Sequence, residues 1–189
     1  MQQQREAWRA EQGDFEVAQL VFLDEFSVTT DMTPRYGRAA AGERVHDAVP
    51  AGHYCQTSVI ASMRLGGAGA AMSVAGAVDG EAFEAYVREH LAPTLKRGDV
   101  VVMDNLSVHK SPDAVEAIEA VGAEVRYLPP YSPDLNPIEK MFAKVKQMLR
   151  KAKARTATRL NDALGEALSA VRAADAAAYF TSSGHPANA

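Results

Sequence analysis

Apolar residues along this chain fall into two patterns, short continuous runs and stripes at helical spacing, and the order of the two suggests a fold. Residues 17–23 are a largely apolar run ending at Asp24, which predicts a buried strand. Residues 54–63 and 70–78 predict two further strands, joined by a hairpin turn at Gly66-Gly67-Ala68-Gly69. Between the first two strands, residues 31–53 carry Pro34, Gly37, Gly42, Pro50 and Gly52, and read as loop or irregular hairpin. From Gly80 to Leu95, the residues Phe83, Tyr86, Val87, His90 and Leu91 return at helical spacing. Residues 99–103 are the short apolar run of a strand buried in a parallel sheet. Ser111-Pro112 is an N-cap followed by proline at the first helical position, and Gly122 closes that helix behind the stripe Val115, Ile118 and Val121. Residues 124–128 predict another strand, which completes a βαβ unit with a right-handed crossover. Three early antiparallel strands followed by parallel strands and helices predict a mixed α/β sheet flanked by helices.

The next segment, from Leu128 to Glu139, holds four of the nine prolines within nine positions. Each proline fixes its own φ and restricts its predecessor, so the segment is stiff and extended. Asn136 as N-cap, Pro137 at the first helical position and Glu139 at the third predict a helix start. Ile138, Phe142, Val145 and Leu149 form its apolar stripe, and Lys140, Lys144 and Lys151 share another face. An alanine-rich helical region follows from about 157 to 179. The organisation expected is a helical leader or linker remnant over 1–16, in which Trp8 is the only large anchor of residues 1–12, a single α/β domain over 17–180, and a tail over 181–189.

Charge sharpens this picture. Residues 1–139 carry 11 basic and 21 acidic side chains, whereas residues 140–159 carry Lys140, Lys144, Lys146, Arg150, Lys151, Lys153, Arg155 and Arg159 with no acid. The whole-chain charge of −4 argues against a generally basic nucleic-acid binder. The one window argues for a surface facing a polyanion, with a solvated helix face as the bland alternative. A single Cys55 excludes an internal disulfide framework and any CxxC zinc or redox pair, which points to a reducing, cytoplasmic setting. No apolar run approaches the roughly 20 residues of a membrane helix.

Three carboxylates stand at the ends of elements: Asp24 after the first strand, Asp104 after the residue 99–103 strand, and Glu139 at the start of the basic helix. Strand ends in α/β sheets are where ligand sites gather. Singly, either aspartate reads as a turn residue and Glu139 as the partner of Asn136 in a capping box. Together they suit a hard divalent cation, Mg²⁺ or Mn²⁺, and two such ions about 3.5–4 Å apart can activate a nucleophile and stabilise a leaving oxygen in phosphodiester cleavage. A glycosidase also uses paired carboxylates, but leaves the basic helix and proline segment without a role.

The runs Val21 to Glu25, Val101 to Lys110 and Pro129 to Glu139 together resemble the DDE transposases, and more narrowly the bacterial insertion-sequence branch of the mariner superfamily. The resemblance covers residues 18 to 180, and the 34 residues between Asp104 and Glu139 match the spacing of that branch. It implies an RNase H-like fold with Asp24, Asp104 and Glu139 as the catalytic, metal-binding triad for two Mg²⁺ ions, which Mn²⁺ replaces. It further implies nicking of double-stranded DNA at the element end, then attack of the freed 3′ hydroxyl on target DNA, usually at a TA dinucleotide. Asn105 and His109 recur in the family pattern as supporting residues, with His109 able to orient a phosphate, shuttle a proton or simply shape a turn. Glu25 points to the opposite face of the strand from Asp24 and is read as a salt-bridge or solvent-facing residue. His46, His53, His90 and His185 show no metal-ligand spacing. Lys140, Lys144, Lys146, Arg150, Lys151, Lys153 and Arg155 are the expected DNA-binding residues.

Family members usually carry an N-terminal helix-turn-helix region that reads the element ends, and 23 residues before Asp24 are too few for one. The expectation is therefore a catalytic part of a split frame, a trimmed piece or a remnant, homodimeric when active and served by an upstream helix-turn-helix polypeptide. A bacterial, nucleoid-associated location in the cytoplasm follows from the same resemblance. The competing functions are a catalytically silent DNA-binding remnant and a stand-alone RNase H-like nuclease.

Overall fold

The computed structural model describes residues 2–186; Met1 of the expected leader and residues 187–189 of the expected tail lie outside the described residues. Five strands form one mixed sheet in the order β3-β2-β1-β4-β5: β1 Leu20–Thr29, β2 Gln56–Arg64, β3 Gly67–Ala75, β4 Val100–Met103 and β5 Glu124–Tyr127. The first three pair antiparallel, and β4 and β5 join parallel to β1, as the sequence pattern predicts. The helices are α1 Gln2–Glu11, α2 Gly80–Tyr86, α3 Pro112–Glu119, α4 Ile138–Ala152, α5 Ala157–Ser169 and α6 Ala173–Ser182.

Strand alternation in β1 divides the core in two. Leu20, Phe22, Phe26 and Val28 face the α4 stripe of Ile138, Met141, Phe142, Val145 and Leu149, with α5, α6 and Trp8 completing that layer. Val21 and Leu23 face Phe83, Tyr86, Val87 and Leu91 from the α2 region, and Ala114 and Ile118 from α3. Phe142 packs on Phe26 with ring centroids 4.3 Å apart. Truncating such a buried ring typically costs about 3–5 kcal/mol, so this pair holds α4 against the sheet.

Several expectations need correction. Asp24 does not end β1, because Phe26 and Val28 continue the buried alternation and β2 pairs with the strand as far as Thr29. What ends near Asp24 is the parallel ladder with β4, whose last pair is Phe22 with Val102. Two residues further along stand Asp24, still in β1, and Asp104, just past the end of β4, and both line one cleft. The hairpin turn tightens to Leu65-Gly66, and Gly67 enters β3 with φ +124, where a Cβ would meet the Val171 carbonyl at 2.6 Å. The predicted 157–179 helix is two helices, broken around Ala170-Val171-Arg172, where Val171 is buried and Asp175 caps the Arg172 backbone N–H. The 80–95 helix loosens into a wider turn at Val87–Leu91 before ending.

Both terminal segments join the first core layer. Trp8 is buried there, and Arg5 binds both Asp134 carboxylate oxygens at 2.9 and 2.7 Å while also donating to Ser132. Gln12 donates to the Ser183 carbonyl and to His185 Nε2. His185 is fully buried beside Phe22, and burial lowers its pKa to about 4, so the ring is neutral at pH 7.

Candidate active site

At the seam between β1 and β4 a cleft of about 520 Å³ is lined by Asp24, Asp104, Asn105, Asn136, Glu139 and the proline-rich segment from Leu128 to Pro133. The three carboxylates expected from the sequence thus reach one cavity from β1, from the loop after β4 and from the first turn of α4. Asp24 is 8% exposed. Its Oδ1 accepts the Glu25 backbone N–H at 2.7 Å, and its Oδ2 accepts Asn136 Nδ2 at 2.8 Å. Burial raises its pKa to about 7, and the charges of Asp104, Glu139 and Glu25 push the same way against the Glu25 N–H. A carboxylate in that state is short of positive charge.

Asp104 behaves differently. Burial by itself would raise its pKa, but contact with His109 and the Leu106 backbone N–H hold it below the usual carboxylate range. His109 Nδ1 lies 2.7 Å from Asp104 Oδ1, too bent for a straight hydrogen bond but close enough for a strong ion pair. On its other side, Nε2 lies 2.9 and 3.0 Å from the two oxygens of Glu25. Burial alone would lower the His109 pKa; the two carboxylates override it and raise the pKa to about 10. The ring is completely buried against Phe83, so the phosphate-orienting role considered for His109 has no route to substrate. Glu25 is the salt-bridge residue that strand alternation suggested, and its partner is His109.

Asn136 is the site residue that local sequence hid. It was expected to cap α4, but no side-chain cap bond forms, and the helix opens after Pro137 instead. The Asn136 amide is spent on Asp24, and its buried Oδ1 has no partner among the described residues. Glu139 is in the first turn of α4 and lines the cleft. Asn105 lines the cleft and is solvent-exposed. At the rim, Tyr131 sits in the left-handed region with φ +54 and its residue is 90% exposed, a costly backbone choice for an aromatic residue.

The basic set divides into two groups. Lys144 pairs with Asp175 at 2.6 Å and with the Ala170 carbonyl, Lys153 with Asp47, and Lys140 donates to Ser183. Arg155 binds the Thr30 and Met32 carbonyls. Lys146 lies over the Phe26 ring and, with Arg150, lines a groove that also takes in Arg35, Ser27 and Thr29. Lys151 is exposed on α4. Lys153 ends that helix with φ +49, off the helical face.

The donor set fits a hard divalent cation: three carboxylates on one cleft, one of them buried and opposed by its neighbours, beside an orphaned buried amide oxygen. As the side chains stand, no group of three His, Cys, Asp or Glu among the described residues is arranged to hold an ion. Asp24, Asp104 and Glu139 would have to move together to hold one. Among the described residues no helix is long and apolar enough to cross a membrane.

Comparison with known proteins points in one direction. The profile of the DDE superfamily endonucleases matches residues 19–161. No curated protein sequence matches the chain. Among solved structures, it is similar to the Mos1 transposase paired-end complex with left transposon end, with TM-score 0.72, 17% identity, and coverage of 96% of this chain and 57% of that one. It is also similar to the catalytic domain of Mos1 mariner transposase, with TM-score 0.69, 14% identity, and coverage of 96% and 85%. The pre-cleavage Mos1 transpososome gives TM-score 0.74 at 15% identity, covering 96% of this chain and 58% of that one. The chain thus spans a little over half the length of those longer transposase chains and shares their RNase H-like sheet.

Proposed function

The chain belongs to the DDE superfamily of endonucleases, and on that premise we propose that it is the catalytic domain of a transposase of the bacterial insertion-sequence branch of the mariner superfamily. It cuts double-stranded DNA at an element end and joins the freed 3′ hydroxyl to a target. The observation that carries this reading is the convergence of Asp24, Asp104 and Glu139 on one cleft, with Asp24 held where ionisation is opposed until positive charge arrives. Bound Mg²⁺ or Mn²⁺, two ions in the full reading, would lower the pKa of the attacking water or hydroxyl and neutralise the leaving oxygen.

The chain's own residues do the rest. Asp24, Asp104 and Glu139 would hold the ions. Asn136 fixes the Asp24 carboxylate, so its geometry is set before substrate enters. The stiff wall from Pro129 to Pro133 limits how DNA can enter the cleft. Lys146, Arg150 and Lys151 supply phosphate contacts that give affinity without reading sequence. Recognition of a particular element end is then the task of a helix-turn-helix region, on the same or another polypeptide. A homodimer in the active state and a nucleoid-associated, cytoplasmic location complete the proposal.

The reading is tested with labelled DNA carrying a terminal inverted repeat, incubated with protein and Mg²⁺. Nicks leaving 3′ hydroxyl ends and joined products, at unselected positions unless a helix-turn-helix polypeptide is added, are expected from the wild type, and neither from Asp104→Asn. Wild-type nicking by Asp104→Asn would remove Asp104 from the catalytic set. Nicks without joined products would assign a nuclease alone, and DNA binding without cleavage by the wild type would assign a silent remnant.

A further inference from the structure

Glu25 has no access to the cleft. It follows Asp24 in a strand, so it projects to the other face, among the side chains of α2 and α3. A carboxylate there is costly unless paired, and among the described residues its side-chain partner is the fully buried His109.

His109 in turn has a carboxylate neighbour at each ring nitrogen. Nε2 is forked between the two Glu25 oxygens at 2.9 and 3.0 Å, and Nδ1 is 2.7 Å from Asp104 Oδ1. The ring is fixed from other directions too: it packs on Phe83 at 4.8 Å, and the Tyr127 hydroxyl donates to the His109 carbonyl at 3.1 Å. On Asp104, Oδ1 also accepts the Leu106 N–H at 3.0 Å, which leaves Oδ2 as the oxygen available to a ligand in the cleft.

We propose that Glu25 is a positioning residue for Asp104: acting through His109, it fixes the orientation in which Asp104 offers its remaining oxygen to a divalent cation. The inference rests on the reading of the cleft as a metal-dependent nuclease site. A carboxylate on the far face of the sheet thereby reaches the cleft through one imidazole. Partners of this outer kind set the geometry of the ligand proper, and their loss typically weakens metal affinity by about 10–100-fold.

The test is calorimetric titration of the full chain with Mn²⁺ alone, without DNA, alongside thermal denaturation of each variant. Glu25→Gln keeps the size of the side chain and removes its charge; Mn²⁺ binding should weaken by about tenfold or more. In a His109→Asn background the same Glu25→Gln change should add nothing, since the connection is already cut. The His109→Asn variant also serves alone should Glu25→Gln fail to fold, and it too should weaken Mn²⁺ binding. A lowered melting temperature with unchanged Mn²⁺ affinity would overturn the positioning role and leave a structural ion pair. Equal effects of Glu25→Gln with and without His109 would overturn the route through the imidazole. If Mn²⁺ binding depends on Asp104 but ignores Glu25, this inference alone falls. If the wild type takes up no Mn²⁺, the metal-dependent reading falls and takes this inference with it.

Discussion

Asn136 Nδ2 donates to Asp24 Oδ2 at 2.8 Å, joining two residues 112 positions apart and tying the start of α4 to the middle of β1. Removing the amide should therefore act on the Asp24 carboxylate rather than on the helix. Asn136→Ala is expected to lower the unfolding free energy by about 1–3 kcal/mol, the range for losing a buried partner of a charged or polar group. Asn136→Ser, which caps helices as well as asparagine does, should not restore it. Urea denaturation at pH 8 is the measurement, and a serine variant at wild-type stability would return Asn136 to the capping role.

Stability without a divalent cation should fall as pH rises through neutrality. The folded pKa of Asp24 is raised from 3.8 to about 7, so its contribution is full below about pH 4 and is lost on passing pH 7. His109 adds a second window: with its pKa raised from 6.5 to about 10, its contribution is intact below 6.5 and lost toward pH 10. Asp104 runs the other way, its depressed pKa giving stability that disappears only in acid. Asp24→Asn should remove the first window and gain a few kcal/mol at pH 8 in chelator, since each tenfold change in an ionisation constant is worth about 1.4 kcal/mol. Melting curves from pH 4 to 9 decide the matter, and parallel profiles for wild type and variant would sink it.

Tyr131 should show a conflict between stability and binding. Asparagine tolerates the left-handed region better than an aromatic residue does, so Tyr131→Asn is expected to stabilise the fold by about 0.5–1 kcal/mol. The exposed ring at the cleft rim is apolar surface for a nucleobase, and stacking of that kind is worth about 1–3 kcal/mol per base. DNA binding should accordingly weaken by about fivefold or more. Unchanged DNA affinity in a stabilised variant would leave the strain without a binding role.

Salt dependence should separate the two groups of cations on and after α4. Replacing Lys146, Arg150 and Lys151 by alanine should flatten the slope of log K against log salt by about 2–3, close to 0.9 for each phosphate no longer neutralised. Lys144→Ala should change the slope little and stability more, because its ammonium already belongs to Asp175 and Ala170. The reverse ranking in a filter-binding series would reassign the DNA face.

The sheet and most helices were legible because their periods are local properties. That Asp24, Asp104 and Glu139 share one cleft was legible from the runs around them, although the strand end inferred at Asp24 was not there: β1 continues to Thr29. What could not be read were properties decided at a distance. Asn136-Pro137-Ile138-Glu139 reads as a helix start within its own four residues, and only the approach of β1 diverts the amide. The run of lysines looks like one surface until Asp175 and Asp47, from elsewhere in the chain, claim two of them. The break near Val171 is hidden because alanine suits helix interiors and surfaces alike. Tertiary packing of Val171 against Gly67 accompanies it.

The cover that α4 places over one face of β1 also sets an order in time. Chains are synthesised from the N-terminus, so Asp24 and Asp104 both exist before Glu139 does. Glu139 comes with the very helix whose stripe of Ile138, Met141, Phe142, Val145 and Leu149 closes the first core layer. A chain that stops short of α4 therefore has neither its third acid nor the cover for that face of its sheet. Completing the acid set of the cleft and covering this face of β1 thereby fall to one and the same helix.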